Sequence, residues 1–410
     1  MAELKGLNYM REKLSQKRTR VQIRYNYYDM KNIVRDVETV IPARFQWLAG
    51  SLGWCSKAAD SLADRLIFDE FRNDNFNINE IFKMNNSDIL FDSAILSSAI
   101  AGCSFVYISA DPTGFPRLQV IDGGNATGQL DPITGLLTEG YAVLERDSLD
   151  QPISEAHFSP GKTTYYINNQ KHQEISNDVS YPLLVPIIFK PDAKRPFGHS
   201  RISRACMKIM EGALRTIKRS EVAAEFYSFP QKYVLGLSNE AEFNNKAATI
   251  SAFLNFSKDE DGDRPTVGQF SQQSMSPYID QMRMFASLFA GETGLTVDDL
   301  GFVSDNPTSS EAIKASHENL RLTARKAQRT FGSGFLNVGY LGACLRDKYP
   351  YKRQQLYLTK PVWEPIFEPD SSTLSSIGDG VIKINQAIPG YIGNKTMKDL
   401  TGIANIEDEE

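Results

Sequence analysis

The 410-residue chain reads as an α+β protein. Three observations predict this. Between Phe105 and Phe189 short β-prone runs alternate with Pro- and Gly-bearing turns. Two amphipathic helical stretches then flank a small polar module. Last comes a helix-period stripe that runs for nearly forty residues, from Thr308 to Leu345. Strands grouped in one section with helices around them favour an antiparallel sheet with helices packed on one side.

The first 35 residues hold seven Lys or Arg before residue 25, then Tyr25, Tyr27 and Tyr28. Basic residues interleaved with aromatics point either to nucleic-acid contact or, the commoner case, to a solvated helix followed by a packing anchor. Gly53 to Phe71 reads as a helix with Trp54, Ala58, Leu62 and Leu66 on one face. Ser87 to Ala101 reads as another, ended by Gly102. The β section follows: Phe105–Ile108, Leu118–Ile121, Tyr141–Leu144, Thr163–Ile167 and Leu183–Phe189. Asp111-Pro-Thr-Gly114 and Asp131-Pro-Ile-Thr-Gly135 are its turns, because Pro presets φ and Gly admits positive φ.

Ser200 to Ser228 returns to helical spacing, with Ile202, Ala205, Cys206, Ile209, Ala213, Ile217 and Ala224 on one stripe. Pro230 ends it. Lys232 to Leu237 reads as a strand, and the segment to Ser276 is polar with an acidic tip at Asp259–Asp263. Another helix runs from Ser276-Pro277 to about Ala290. A loop carrying Asp298, Asp299, Asp305 and Pro307 leads into the long helix. Thr308 and Glu311 there form a capping box. From residue 308 to 345 such a helix is roughly 50–55 Å long. Leu356–Leu358 reads as a strand, Leu374–Ile388 as an amphipathic helix stopped by Pro389-Gly390, and Asn394–Leu400 as a last short helix before an acidic end.

Hydrophobic residues make up 41% and charged residues 23%, ordinary values for a folded globular chain. No apolar run reaches the ~18 residues that cross a bilayer, and the N-terminus lacks the apolar region of a signal peptide. Four cysteines, Cys55, Cys103, Cys206 and Cys344, lie far apart, which suggests reduced, buried thiols. A net charge of −5 argues against a protein that grips nucleic acid through its whole surface.

Catalytic motifs are missing from their expected contexts. Ser159-Pro-Gly161-Lys162-Thr163 has the end of a phosphate-binding loop, but the required earlier Gly is Ala156 and no helix follows. Asp259, Asp261 and Asp263 match the start of a calcium loop, yet Arg264 and Phe270 stand where Gly and Glu are needed. His157, His172, His199 and His317 show no metal spacing. Gly332, Gly334, Gly339 and Gly342 sit within a helical stripe, where their use is the close approach of a neighbouring helix, or a local bend. No catalytic residue, metal ligand set or cofactor is expected.

The order of these segments resembles the portal proteins of tailed double-stranded-DNA bacteriophages, of the siphophage type found with Gram-positive hosts. The resemblance rests on Tyr25-Asn-Tyr-Tyr28, Leu52-Gly-Trp54 with Ala63-Asp-Arg-Leu66, and Asp131-Pro-Ile-Thr-Gly135. It rests further on Arg195-Pro-Phe-Gly198-His-Ser200-Arg-Ile202, Glu221–Pro230 and Ser309-Ser-Glu311-Ala312-Ile313-Lys314. It implies the portal fold and a ring, usually of twelve subunits. The implied wing covers 1–199 with a long helix at 309–346, the stem helices 200–228 and 277–295, and the clip 229–276. A tunnel loop at 296–308, a wing return segment at 347–373 and a small crown at 374–410 complete it.

The implied partners are the terminase large subunit, the head–tail adaptor, the major capsid and scaffolding proteins, and double-stranded DNA passing without sequence specificity; no membrane is involved. The implied location is the unique capsid vertex, with the host cytoplasm during assembly. Within that frame Asp298, Asp299 and Asp305 are candidates to face the channel. Tyr233, Leu235, Leu237, Asp259, Asp261 and Asp263 are candidates for partner docking at the clip. Two other readings stand beside it: another head–tail connector or capsid structural protein, and a metal-dependent nuclease or hydrolase using Asp259–Asp263.

Overall fold

The computed structural model describes residues 4–32, 50–228, 232–235, 266–269, 274–302, 315–367, 369 and 371–403. They divide into two compact units: one drawn from 4–32, 53–207 and 290–403, the other from 50–52 and 208–289. The α+β class holds, with helices and antiparallel sheets throughout.

The first unit opens with α1 (Leu7–Tyr28), then α2 (Trp54–Ala63), β1 (Phe68–Arg72), α3 (Ile78–Lys83) and α4 (Ser87–Ala101). Eight strands follow: β2 (Cys103–Ala110), β3 (Pro116–Ile121), β4 (Ala126–Leu130), β5 (Leu137–Arg146), β6 (Pro152–Ser159), β7 (Lys162–Ile167), β8 (Gln170–Ser176) and β9 (Leu184–Ile188). They form a three-stranded sheet in the order β3-β2-β9 and a five-stranded meander β4-β5-β6-β7-β8, antiparallel throughout. Pro186 is tolerated inside β9 because that strand is an edge of its sheet.

Alternation along β2 separates two layers. Tyr107 points to the meander: its hydroxyl meets that of Tyr165, and its ring lies 5.4 Å from Phe158. Ser104 points the other way, donating to Ala94 O of α4 at 2.9 Å. On that second side also lies α7 (Glu318–Arg346), after α5 (Arg204–Ser228), β10 (Lys232–Leu235), β11 (Thr266–Gln269) and α6 (Ser276–Thr293). The chain closes with β12 (Lys360–Trp363), α8 (Ser371–Ala387) and α9 (Asn394–Thr401).

The glycines of α7 make it the unit's central post. A Cβ at Gly332 would lie 2.6 Å from Pro361 of β12, and one at Gly334 2.9 Å from Ile187 of β9. Gly339 and Gly342 sit against Ile78 and Ile81 of α3 in the same way. The approach thus involves two strands as well as a helix. Phe335, on the same helix, joins an aromatic core: Phe91 at 4.7 Å, Phe68 at 5.8 Å and Trp363 at 6.4 Å between ring centres.

Three expectations change. The helix expected through Phe71 stops at Ala63, and Phe68–Arg72 becomes β1, paired antiparallel with β12. Phe68 and Phe71 belong to the aromatic core, and a partner nearly three hundred residues away overrides local helical spacing. Leu356–Leu358 is not a strand: Arg353–Leu356 is a 3₁₀ turn, and Tyr357 and Leu358 face outward. Three apolar residues are too few for their period to distinguish strand from turn. The described part of the long helix begins at Glu318, about 43 Å from its end at Arg346; Thr308, Glu311 and their capping box lie outside the described residues.

Within the second unit, α5 and α6 pack closely at Gly212, whose Cβ would sit 2.7 Å from the Phe285 ring. Thr216 Oγ1 donates to Gln281 Oε1 at 3.0 Å. β10 and β11 pair antiparallel, from Lys232 opposite Gln269 to Leu235 opposite Thr266. Among the described residues no helix is long and apolar enough to cross a membrane.

Gly332→Ala is expected to destabilise the protein by about 1–3 kcal/mol through overpacking against Pro361, although alanine is the better helix former by up to ~1 kcal/mol. Gly378→Ala in α8, where nothing lies within 4 Å, is expected to leave the thermal midpoint unchanged or slightly raised. Denaturant titration of the two variants checks the contrast.

Candidate functional site

The basic N-terminal helix is turned inward. Met10, Leu14, Val21 and Tyr27 are buried, and the cations beside them find partners within the chain. Arg11 forms a two-toothed pair with Glu155 of β6, which also accepts the Tyr141 hydroxyl of β5. Lys13 Nζ donates to Gly128 O at 2.7 Å, and Lys17 Nζ lies 5.1 Å from the centre of the Phe105 ring. Arg18 pairs with Asp150, and Arg24 donates to Ala101 O at 3.1 Å. Ahead of the helix, the backbone N–H groups of Lys5 and Gly6 donate to the buried carboxylate of Glu139 at 2.7 and 2.8 Å. His157 Nε2 lies 2.8 Å from the same group. These cations therefore form an internal fastening, while Arg20 and the rest of the outer side of the helix are exposed. Its aromatic end is an anchor: Tyr28 donates to Asp60 at 2.8 Å, and burial first of all pushes the Tyr25 phenol up to about 12.

The segment Arg195–Ile202 also works as a joint. Gly198 has φ +76°, and a Cβ there would fall 2.0 Å from Phe189 O, so only glycine fits. Next to it His199 N donates to Phe189 O at 3.0 Å, and its Nε2 lies 2.6 Å from Asp192 Oδ2. Ser200 Oγ donates to Ile100 O at 2.6 Å, and Arg201 N to Ala99 O at 2.7 Å. The Arg201 guanidinium donates to Ala58 O and Thr293 O. These bonds tie the ends of β9, α4, α2 and α6 together just ahead of α5. Gly198, Ser200 and Arg201, which carry part of the sequence resemblance, hold neighbouring backbone here.

Of the three loop acids, two are described. Asp298 and Asp299 open a short 3₁₀ turn, Asp298–Leu300. Asp298 is exposed. The Asp299 carboxylate is occupied locally: Thr296 N donates to its Oδ2 at 2.9 Å, and His317 Nε2 approaches the same atom at 3.2 Å. Burial raises this carboxyl, but the Thr296 backbone N–H and hydroxyl, with His317, outweigh it and leave the group below its ordinary value. Asp305 lies outside the described residues. Leu235 is exposed at the end of β10, and Tyr233 pairs through its backbone with Gly268. Leu237, Asp259, Asp261 and Asp263 lie outside the described residues. All four cysteines are free and buried, and burial pushes the thiols of Cys55, Cys206 and Cys344 up. Among the described residues no group of three or more His, Cys, Asp or Glu side chains is placed to hold a metal ion.

No protein-family model matches the chain. Two curated proteins match it over nearly its whole length. The portal protein of Mycobacterium phage D29 is 22% identical over 94% of this chain and 83% of its own. The portal protein of Mycobacterium phage L5 is 22% identical over 94% of this chain and 82% of its own. The chain is similar from end to end to siphophage portal proteins. Among solved structures, a chain of the virion of a native gene transfer agent particle overlays with TM-score 0.44 at 12% identity, covering 93% of this chain and 99% of that one. A chain from the neck of the native gene transfer agent particle, computed with C12 symmetry, overlays with TM-score 0.45 at 13% identity, covering 93% and 99%.

The Arg195–Ile202 joint and the inward α1 both hold elements in place. The inward-facing Glu139 and Glu155 escaped the sequence reading, because glutamates in a strand pattern read as solvent-facing; the one available signal was the match of charge between a basic helix and acid-bearing strands.

Asp299→Ala is expected to lose about 0.5–1.5 kcal/mol of stability at pH 7, the usual net worth of a hydrogen bond such as that from Thr296 N. Because the folded carboxyl lies below its ordinary value, its contribution is full above that value, ~4, and fades as pH falls through the folded one. Urea titrations of both proteins from pH 7 to 3 are expected to converge at the acid end.

Proposed function

We propose that this chain is the portal vertex protein of a tailed double-stranded-DNA bacteriophage, a ring subunit around the channel through which the genome is packaged and ejected. The observation that carries the reading is the end-to-end likeness to two phage portal proteins. A local motif shared by chance does not cover 94% of a chain.

The finer anatomy extends that reading. Residues 1–199 and the long helix at 309–346 serve as wing, 200–228 and 277–295 as stem helices, and 229–276 as clip. The tunnel loop is 296–308, the return segment 347–373 and the crown 374–410. The separate compact unit at 208–289 supports a stem-and-clip division, since its two helices enclose the hairpin of β10 and β11. By family likeness the ring has twelve subunits, sits at one virion vertex and assembles in the host cytoplasm. Its clip, with Tyr233, Leu235, Leu237 and the acids Asp259, Asp261 and Asp263, meets the terminase large subunit and then the head–tail adaptor. Capsid and scaffolding proteins surround the wing.

A channel for DNA must not hold it. Several cation–phosphate contacts would create a strong, salt-dependent grip, whereas carboxylates repel phosphate at short range and are screened beyond ~8 Å at physiological salt. Asp298, Asp299 and Asp305 are the loop acids proposed to line the bore; the Asp299 carboxylate also bonds Thr296 and His317.

Negative-stain imaging and native mass spectrometry of purified protein are expected to show closed rings with an opening that admits a double helix; a persistent monomer, or a ring with no such opening, overturns the reading. In a packaging assay, Asp298→Lys with Asp305→Lys is expected to slow DNA entry and raise DNA retention. Unchanged packaging removes the role proposed for those acids and leaves the ring intact.

A further inference from the structure

The first unit contains a groove of about 900 Å³. One wall is a side of α7, where Leu322, Lys326, Arg329 and Ser333 follow at four-, three- and four-residue steps. Lys190, at the end of β9, and the Arg201 guanidinium line it too, against one acid, Glu292. Leu322 is 45% exposed, and Lys190, Lys326 and Arg329 are exposed. None of the four cations pairs with a carboxylate among the described residues; Arg201 has only carbonyls.

Elsewhere on the same unit the imbalance is reversed. Asp60 and Asp64 of the α2 end lie near Asp88 and Asp92 of α4, and among the described residues none of the four makes an ion pair with Lys or Arg, although Lys57 acts on Asp60 electrostatically. Burial, and then Asp88 and Asp64, push the Asp92 carboxyl above its ordinary value. Burial and Asp64 do the same to Asp60, against the hydrogen bond from Tyr28. Beside them on α4 Ile89 is 65% exposed, an apolar residue set among acids.

We infer that the α7 groove is a docking surface for a second copy of this chain, and that it takes the Asp64–Asp88–Asp92 face of the neighbouring subunit. The inference rests on the portal reading, which supplies the ring. A closed ring of identical subunits needs two different surfaces per subunit that fit each other. A cationic groove and a predominantly acidic face on one chain are such a pair. Complementary charge of this kind sets register and suppresses like-to-like contacts, and exposed Leu322 and Ile89 supply apolar contacts beside the charges.

The test is charge exchange in the full-length chain. One variant carries Lys326→Glu and Arg329→Glu; the other carries Asp64→Lys and Asp92→Lys. Each alone is expected to raise the concentration needed for half-maximal ring formation by about tenfold or more. An equimolar mixture closes again, because the altered groove of one variant fits the altered face of the other; native mass spectrometry would read equal numbers of the two in each ring. All four changes in one chain also restore closure. Circular dichroism melting checks folding, and the milder pair Lys326→Gln with Arg329→Gln is expected to weaken rings in the same direction. If the single variants close as the parent does, or the mixture fails to close while both fold, the inference is overturned and the portal reading stands. If the variants close normally but lose retention of double-stranded DNA, the groove serves phosphate and the inference is likewise overturned. A parent protein that never forms rings overturns the portal reading itself.

Discussion

The first unit depends on how closely side chains of neighbouring elements can approach the α7 backbone. A helix normally keeps its neighbours about 8–10 Å away, axis to axis, because side chains intervene. Gly332 and Gly334 remove that spacer on two different sides of the helix, so the Pro361 ring of β12 and the Ile187 side chain of β9 reach the helix backbone. The aromatic core around Phe68, Phe91, Phe335 and Trp363 fills the volume beside this contact. One helix thereby fastens both the small β1–β12 pair and the three-stranded sheet. Glycine is unfavourable within a helix by up to ~1 kcal/mol, and four in eleven residues is consistent with a helix whose stability comes from packing rather than from propensity.

A second constraint is electrostatic. Glu139 and Glu155 are buried in the five-stranded meander, where an unpaired carboxylate would be strongly destabilising. Both are satisfied by the N-terminal segment: one by two backbone N–H groups with His157, the other by Arg11 with Tyr141. The helix and the meander therefore complete each other. Without α1 the sheet would hold orphaned charge, and without the sheet the apolar side of α1 would face water.

These features fit an assembly part. The geometry around Gly198, Ser200 and Arg201 consists of hydrogen bonds to main-chain carbonyls of α4, α2 and α6, which lock a joint ahead of α5. The cations of the α7 groove and the carboxylates of the α2–α4 face are the complementarity on which the proposed subunit contact rests.

Much of the fold could be read from residue order. The strands through Val106, Ile121, Tyr141 and Leu184 announce themselves by β-branched and aromatic runs between Pro-Gly turns, and α4, α5 and α6 by apolar spacing with Gly or Pro at their ends. Full-length resemblance to portal proteins was likewise legible, from the order of segments such as Arg195–Ile202. What escaped depends on distant partners. β8 is exposed along its length and carries no alternation to detect; β6 hides its pattern because Glu155 points inward; β1 exists because β12 pairs with it. The inward turn of α1 and the engagement of Asp299 by His317 are of the same sort. Periodicity reports which face of an element is apolar, since that is a property of neighbouring residues. Which charge is buried, and against what, is set by residues more than a hundred positions apart, and only the folded chain brings them together.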